Sequence, residues 1–206
     1  MDLNYKVLPI FPSCIHIIDI DNFDDYKDQL IKETYQERDE NTIGRKLSNE
    51  GGWQSEQINI LQSKSETLKE IITSLATFEP INKQVDIIVE GWKNINQPGC
   101  FNIKHVHPRS HFSGVLWIKT PKNCGNILFE SPQLFDKYQE LDCYTDQFRL
   151  KTNAYMTYSF TPKEGKMLIF PSSLSHLVEK NESDEDRISY SFNIILNYVE
   201  CDSNIR

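Results

Sequence analysis

The hydrophobic and polar positions change rhythm near residue 80, and the change predicts two kinds of structure. Before it, Leu61, Leu68, Ile72 and Leu75 recur at helical spacing and predict a helix from about Glu56 to Phe78, ended by Pro80. An earlier helix is predicted to run through about Asp39, with Asp21 or Asn22 as its cap and acidic residues in the first turn. Tyr5 to Ile20 carries β-branched runs suited to one or two strands. Ser48 to Trp53, with two glycines, reads as an irregular loop.

From Lys83 onward short apolar runs alternate with turn residues: Val85 to Trp92, Gly114 to Lys119, Asn126 to Glu130, Ala154 to Phe160, Lys166 to Phe170 and Ile188 to Tyr198. Prolines 98, 108, 121, 132, 162 and 171 fall between them. Short strands without alternating helices predict a mainly β, antiparallel sandwich or jelly roll, with the N-terminal helices packed outside it. The expectation is one domain over 1–206, with an α-rich part and early strands over 1–80 and the jelly-roll core over 81–200. Gln133 to Lys151, polar and aromatic, reads as a long loop or lid.

Composition narrows the function. The 206 residues carry a formal net charge of −8, and 38% hydrophobic with 11% aromatic residues is enough apolar side chain to close a core. No Lys/Arg block offers a footprint for phosphates, so no nucleic-acid partner is expected. No stretch approaches the roughly 20 apolar residues that span a bilayer, and Met1 to Phe11 lacks a signal-like apolar run, so a soluble, unexported, cytoplasmic protein is expected, without a membrane partner. Cys14, Cys100, Cys124, Cys143 and Cys201 show no CxxC pairing and read as free thiols.

The histidines are clustered. His105, His107 and His111 lie close together, and His176 follows a strand-like run from Gly165 to Pro171. If Lys104 to Pro108 is extended, His105 and His107 project from one face at a distance that one metal ion can bridge, and Pro108 ends the strand. The run from Gly165 would carry His176 back as a third ligand. His111, beyond the proline, reads as a loop residue or an outer contact, and His16 as an ordinary strand residue.

The last strand adds a second clue. Arg187, Ser189, Ser191 and Asn193 alternate with Ile188, Tyr190, Phe192 and Ile194, so one face is wholly polar. That face suits a solvent-facing edge strand. It equally suits the inside of a barrel, if the apolar face packs on the helices; an arginine there needs an anion, and its planar fork fits a carboxylate.

These segments together resemble the iron(II)- and 2-oxoglutarate-dependent oxygenases. In particular Asn94-Ile95-Asn96, Gly99, Asn102, His105-Val106-His107-Pro108, Ser113-Gly114-Val115, Gly125 to Phe129, Gly165 to Ser172, His176 and Arg187 to Asn193 look like a bacterial and phage subfamily with a His-x-His-Pro motif. Ser48-Asn49-x-Gly51-Gly52-Trp53-Gln54-Ser55 is similar to its N-terminal motif. The resemblance implies a double-stranded β-helix of cupin-like, jelly-roll type that uses Fe(II) and takes 2-oxoglutarate as cosubstrate. It implies a metal site of His105, His107 and His176, and a carboxylate site of Arg187 with Ser189. Asn102 and Trp117 are further cosubstrate or substrate contacts.

His107 stands where the wider superfamily has Asp or Glu, which leaves the metal, iron or zinc, open. Glu130 is a candidate carboxylate ranked below His107. The lid and the Gly51-Gly52-Trp53 loop are expected to read a substrate, small molecule or protein, that the sequence does not identify. The chain would be a monomer or homodimer. Two alternatives stand beside this reading: a three-histidine metalloenzyme that does not use 2-oxoglutarate, and a non-catalytic jelly-roll module. Retention of Arg187 with the histidines speaks against both.

Overall fold

The computed structural model of the protein describes residues 13–77, 85–133 and 143–198. In chain order they form β1 (His16–Asp19), α1 (Asp24–Glu40), β2 (Asn49–Glu50), β3 (Trp53–Gln54), β4 (Ile58–Asn59), α2 (Glu66–Thr73), β5 (Val85–Asn96), β6 (Phe101–His105) and β7 (Phe112–Lys119). There follow β8 (Ile127–Glu130), α3 (Asp146–Thr152), β9 (Thr157–Phe160), β10 (Lys166–Pro171), β11 (His176–Val178) and β12 (Arg187–Tyr198). Among the described residues the major sheet has seven strands in the order β1-β10-β7-β12-β5-β3, with β4 also on β5. The minor sheet has five, β2-β6-β11-β8-β9, and the strand pairs are antiparallel throughout. This is the mainly β jelly roll that the punctuated strands predict.

Two apolar clusters hold it together, because each face of the major sheet has something to bury against. On the outer face Ile188, Tyr190, Phe192 and Ile194 of β12 pack with Phe23, Leu30, Leu68 and Ile72 from the helical side. Between the sheets Val115, Trp117, Ile127, Phe129, Leu168 and Phe170 form the second cluster. Of the two readings open for β12, the structure takes the second: its apolar face meets the helices, and its polar face turns into the barrel.

Tyr190 and Phe192 of β12 lie over glycines of the neighbouring strands. A Cβ at Gly91 of β5 would stand 2.0 Å from the Tyr190 hydroxyl, and one at Gly114 of β7 would stand 2.2 Å from the Phe192 ring. Nothing larger fits under either ring.

Several boundaries differ from the sequence reading. Neither Asp21 nor Asn22 caps α1. Phe23 takes the N-cap position without a side-chain cap bond, because its ring is buried and burial outweighs capping, while Asn22 adopts a left-handed conformation with φ 53°. The second helix does not begin at Glu56. Ile58–Asn59 pairs with β5, Ile60–Gln62 makes one 3-10 turn, and Ser65 caps α2 by accepting from Leu68 N–H at 3.3 Å. Leu61, 70% exposed, does not belong to the apolar stripe of Leu68, Ile72 and Leu75, and its helical spacing to them is coincidental. Phe78 and Pro80 lie outside the described residues.

Ser48 to Trp53 is less irregular than expected, since Asn49–Glu50 and Trp53–Gln54 each pair with a longer strand. Part of the Gln133 to Lys151 loop is helical: Asp146–Thr152 is capped by Thr145, whose hydroxyl accepts from Phe148 N–H at 3.2 Å, while 134–142 are outside the described residues.

Gly114→Ala is expected to destabilise the protein by about 1–3 kcal/mol, the usual range for overpacking a full core. Urea unfolding monitored by circular dichroism reads this, and an unchanged midpoint would contradict the close approach of Phe192.

Candidate active site

The cavity between the sheets is built by strand register. β12 and β5 pair along their whole lengths, so Arg187 stands opposite Asn96, Ser189 opposite Asn94 and Ser191 opposite Trp92. All six line one cavity with His105, His107 and His176. Asn94 donates from Nδ2 to Ser191 Oγ at 3.0 Å. The wall is polar yet nearly uncharged, with Arg187 at its inner end.

A bulge aims the first histidine. On β11 His176 pairs with His105 of β6, whereas Val178, two residues on, pairs with Asn102, three residues back. The extra residue in β6 resets the alternation and turns both Asn102 and His105 inward, as bulges beside binding sites do. β6 ends at His105, so His107 does not share a strand with it. His107 reaches the cavity from the following loop, where its N–H donates to Ser172 O at 2.9 Å. His176 does not ride on β10 either: a turn after Pro171 crosses to the minor sheet, and His176 opens β11.

The three rings converge. One nitrogen from each lies within 4.8 Å of the others, and the Nε2 atoms of His107 and His176 are 3.4 Å apart. Nitrogens bound to one metal at about 2.1 Å and at angles near 90–110° stand roughly 3.0–3.4 Å apart, so the cluster suits a single ion. His105 Nδ1 lies 2.7 Å from Ile103 O, and His176 Nδ1 lies 2.9 Å from Leu174 O. A carbonyl only accepts, so each Nδ1 carries the proton and each Nε2 keeps its lone pair for the site, the tautomer a metal ligand needs. Burial holds His105 below the ordinary imidazole value. Burial and the neighbouring His176 and His105 take His107 down to about 3, and burial with His105 takes His176 to about 4. All three are neutral near pH 7.

Arg187 is buried to 1% exposure. One terminal nitrogen, Nη1, donates to the carbonyls of Cys124, Gly125 and Glu179, which fixes the fork. The other, Nη2, is buried with no hydrogen-bond partner, and no carboxylate pairs with the guanidinium among the described residues. Burial pulls its pKa down, but an arginine stays protonated. A buried, charged, half-satisfied fork on a cavity wall is the signature of an anion site.

The other expected contacts are placed as follows. Asn102 lines the cavity, accepting from Asn96 Nδ2 at 3.3 Å and donating to Ser48 Oγ at 3.2 Å. Trp117 lines it beside Ser189, its partner across β7 and β12. Glu130 is not drawn in: it accepts from Ser175 Oγ at 3.0 Å and pairs with Lys104 at 3.2 Å. His111 stays apart from the cluster, its Nδ1 accepting from Leu196 N–H at 3.1 Å. Trp53, expected in a substrate-reading loop, is instead buried in the helical-side core and donates to Asn41 O at 2.8 Å. The cavity residues that sequence reasoning does not assign to the site include Ser48, Asn94 and Asn96, seen there only as motif residues, and Trp92, which completes the inward row Trp92-x-Asn94-x-Asn96. Its period of two, continued to the end of β5, was the available signal.

The free imidazoles of an unfolded chain titrate near 6.5, the folded ones well below. Between those values the unfolded chain binds more protons, so stability of the metal-free protein falls as pH drops from about 6.5 through 4 toward 3. Denaturant midpoints at pH 7 and pH 5 are expected to show that loss, and His107→Gln to reduce it; an equal loss in the variant would contradict the placement of His107.

The family model described as "Putative 2OG-Fe(II) oxygenase" matches residues 90–193, which contain all three histidines and Arg187. Among solved structures, a prolyl-4-hydroxylase from Pseudomonas putida has a TM-score of 0.62 at 15% identity, covering 88% of this chain and 91% of that one. A prolyl hydroxylase from Trichoplax adhaerens, in complex with a hypoxia-inducible factor peptide, has a TM-score of 0.62 at 11% identity, covering 88% and 83%. HygX from Streptomyces hygroscopicus, with nickel and 2-oxoglutarate bound, has a TM-score of 0.61 at 8% identity, covering 88% and 82%. At these identities the likeness is one of fold. No curated protein matches the chain. The family match spans half of the sequence, and the chain belongs to the 2-oxoglutarate and iron(II) oxygenase family.

Proposed function

We propose that His105, His107 and His176 hold the iron(II) of this oxygenase, and that Arg187 with Ser189 holds the far carboxylate of 2-oxoglutarate. The observation that carries the reading is the unpartnered Nη2 of a fully buried Arg187 in the same cavity as three converging imidazoles. The donor set fits the metal, since two of the three Nε2 atoms are held as lone-pair donors by backbone carbonyls. Iron(II) with 2-oxoglutarate supplies the family's chemistry, in which the cosubstrate is decarboxylated to succinate and a substrate C–H bond is oxidised.

The rest is the work of the chain. Arg187 offers one free N–H edge, and Ser189 a hydroxyl two residues along the same face. Asn94 and Ser191 bond to each other and present a neutral polar wall. Trp117 and Phe170 supply apolar walls that limit water. Asn102, tied between Asn96 and Ser48, joins the minor sheet to the major one and lies level with the arginine end. Preorganised groups of this kind position a cosubstrate without reorganising at the moment of reaction.

The pairing of β1, β3 and β4 with β10 and β5 supports treating 1–206 as one domain. No helix among the described residues is long and apolar enough to cross a membrane. The net charge of −8 supports a substrate other than nucleic acid, and we read the chain as a cytoplasmic enzyme, monomer or homodimer.

The test is an anaerobic titration with iron(II) and then 2-oxoglutarate, followed by the visible charge-transfer band of the chelated cosubstrate. Arg187→Lys, which keeps the charge but loses the planar fork, is expected to weaken 2-oxoglutarate about 10- to 100-fold, the worth of a hydrogen bond to a charged group, and to leave iron affinity nearly unchanged. Ser189→Ala should weaken it less. Undiminished cosubstrate affinity in Arg187→Lys would overturn the assignment.

A further inference from the structure

Ser113, Ser172 and Asn193 come from three separate segments that carry the family likeness, yet none borders the cavity. The fold brings them together behind it. Ser113 Oγ lies 2.8 Å from Ser172 Oγ and 2.8 Å from Asn193 Oδ1, and all three residues are buried. A carboxamide oxygen only accepts, so Ser113 gives its proton to Asn193 and receives that of Ser172. The chain of bonds has one direction, from Ser172 through Ser113 to Asn193.

The backbone of Ser172 links the two loops that deliver histidines. Its carbonyl accepts from His107 N–H at 2.9 Å, and its own N–H donates to His111 O at 3.1 Å. It also starts the turn into β11, in which Leu174 N–H donates to Pro171 O at 2.9 Å and Leu174 O receives His176 Nδ1. The ring of His107, unlike those of His105 and His176, has no backbone carbonyl at Nδ1 among the described contacts. Beyond its ring contacts with Trp92 and His176, His107 is placed by its main chain, which is held by Ser172.

We propose that Ser172, Ser113 and Asn193 form a positioning chain that holds the His107 loop at metal-binding distance from His176. The proposal rests on reading His105, His107 and His176 as the metal site. Hydroxyls buried on the sheet face that carries Val115 and Phe170 would be replaced at less cost by apolar side chains if filling space were their only task. A complete hydrogen-bond chain instead specifies one arrangement of the two loops, as partners behind first ligands do elsewhere.

Cobalt(II) titration of the metal-free protein, followed by its visible ligand-field absorption, tests this without turnover. Ser113→Ala and Ser172→Ala are each expected to weaken cobalt about 10- to 100-fold and to alter the band. The double variant should be little weaker than either single one, since both break one chain. Ser113→Thr, which keeps the hydroxyl, should restore affinity and spectrum. Three separate single variants, each checked for folding by circular dichroism, keep the test decisive if one of them fails to fold. Variants with a lowered melting temperature but unchanged cobalt affinity and spectrum would overturn the proposal and leave the metal site standing. Equal cobalt binding by wild type and His176→Ala would overturn the metal site itself, and the proposal with it.

Discussion

The unbroken antiparallel register of β12 against β5, from Arg187 opposite Asn96 to Tyr198 opposite Val85, decides which side chains can reach the cavity. A shift of one residue would turn every side chain to the other sheet face. Arg187 would then enter the helical core, and Ile188 would take its place on the wall. Two features hold the register. The outer face must bury Ile188, Phe192 and Ile194. Tyr190 and Phe192 also need the gaps above Gly91 and Gly114, which only glycine leaves. The packing of the helices, remote from the cavity, thus fixes the polarity of its wall.

The histidines depend on a different kind of control. β12 places Arg187 by long-range register, whereas the histidine cluster relies on local irregularity: the bulge in β6, the loop after it and the turn between β10 and β11. Regular strands alone would separate His105 from Asn102 by face, and His107 reaches the cavity from the loop after β6. Ser172 couples these irregular pieces by main-chain bonds, and Ser113 ties it to the regular sheet through Asn193. The rigid strand and the irregular loops meet at that residue, which is how one register can bear on the place of His107, the one histidine of the cluster that no strand carries.

Much of this was legible in the sequence, though not always by the route that led there. The two-faced pattern of β12 shows one apolar and one polar face, because period-two alternation survives in any strand buried on one side, but alternation alone does not say whether the polar face meets solvent or the barrel. The pairing of His105 with His107 was anticipated from the same alternation, yet His107 lies off the strand and His105 faces inward because of a bulge, which periodicity cannot register. The helix expected from Glu56 was misplaced because Leu61 matches helical spacing by accident while its neighbours pair with β5. Trp53 resembled a loop residue near glycines, but its ring is part of the core. Asn94 and Asn96 enter the sequence reading only as motif residues, because a strand read as ending at Trp92 stops four residues short of the cavity wall they belong to.

The charge arrangement explains why this donor set suits a dianionic cosubstrate. A metal ligated by two imidazoles and a carboxylate has part of its charge cancelled by the protein, whereas three imidazoles held neutral by burial cancel none of it. The nearest candidate carboxylate, Glu130, is engaged by Lys104 and Ser175, and so does not compete for the ion. At the other end of the cavity Arg187 keeps one arm against backbone carbonyls and the other unpartnered. Between the two the lining is amides, hydroxyls, aromatic rings and the aliphatic Val115, Ile127 and Val178, with no carboxylate. A ligand with a carboxylate at each end neutralises both centres at once, and its loss leaves two uncompensated positive charges in a space with little water to screen them. Cation and cosubstrate should therefore bind cooperatively here, each lowering the electrostatic cost of the other.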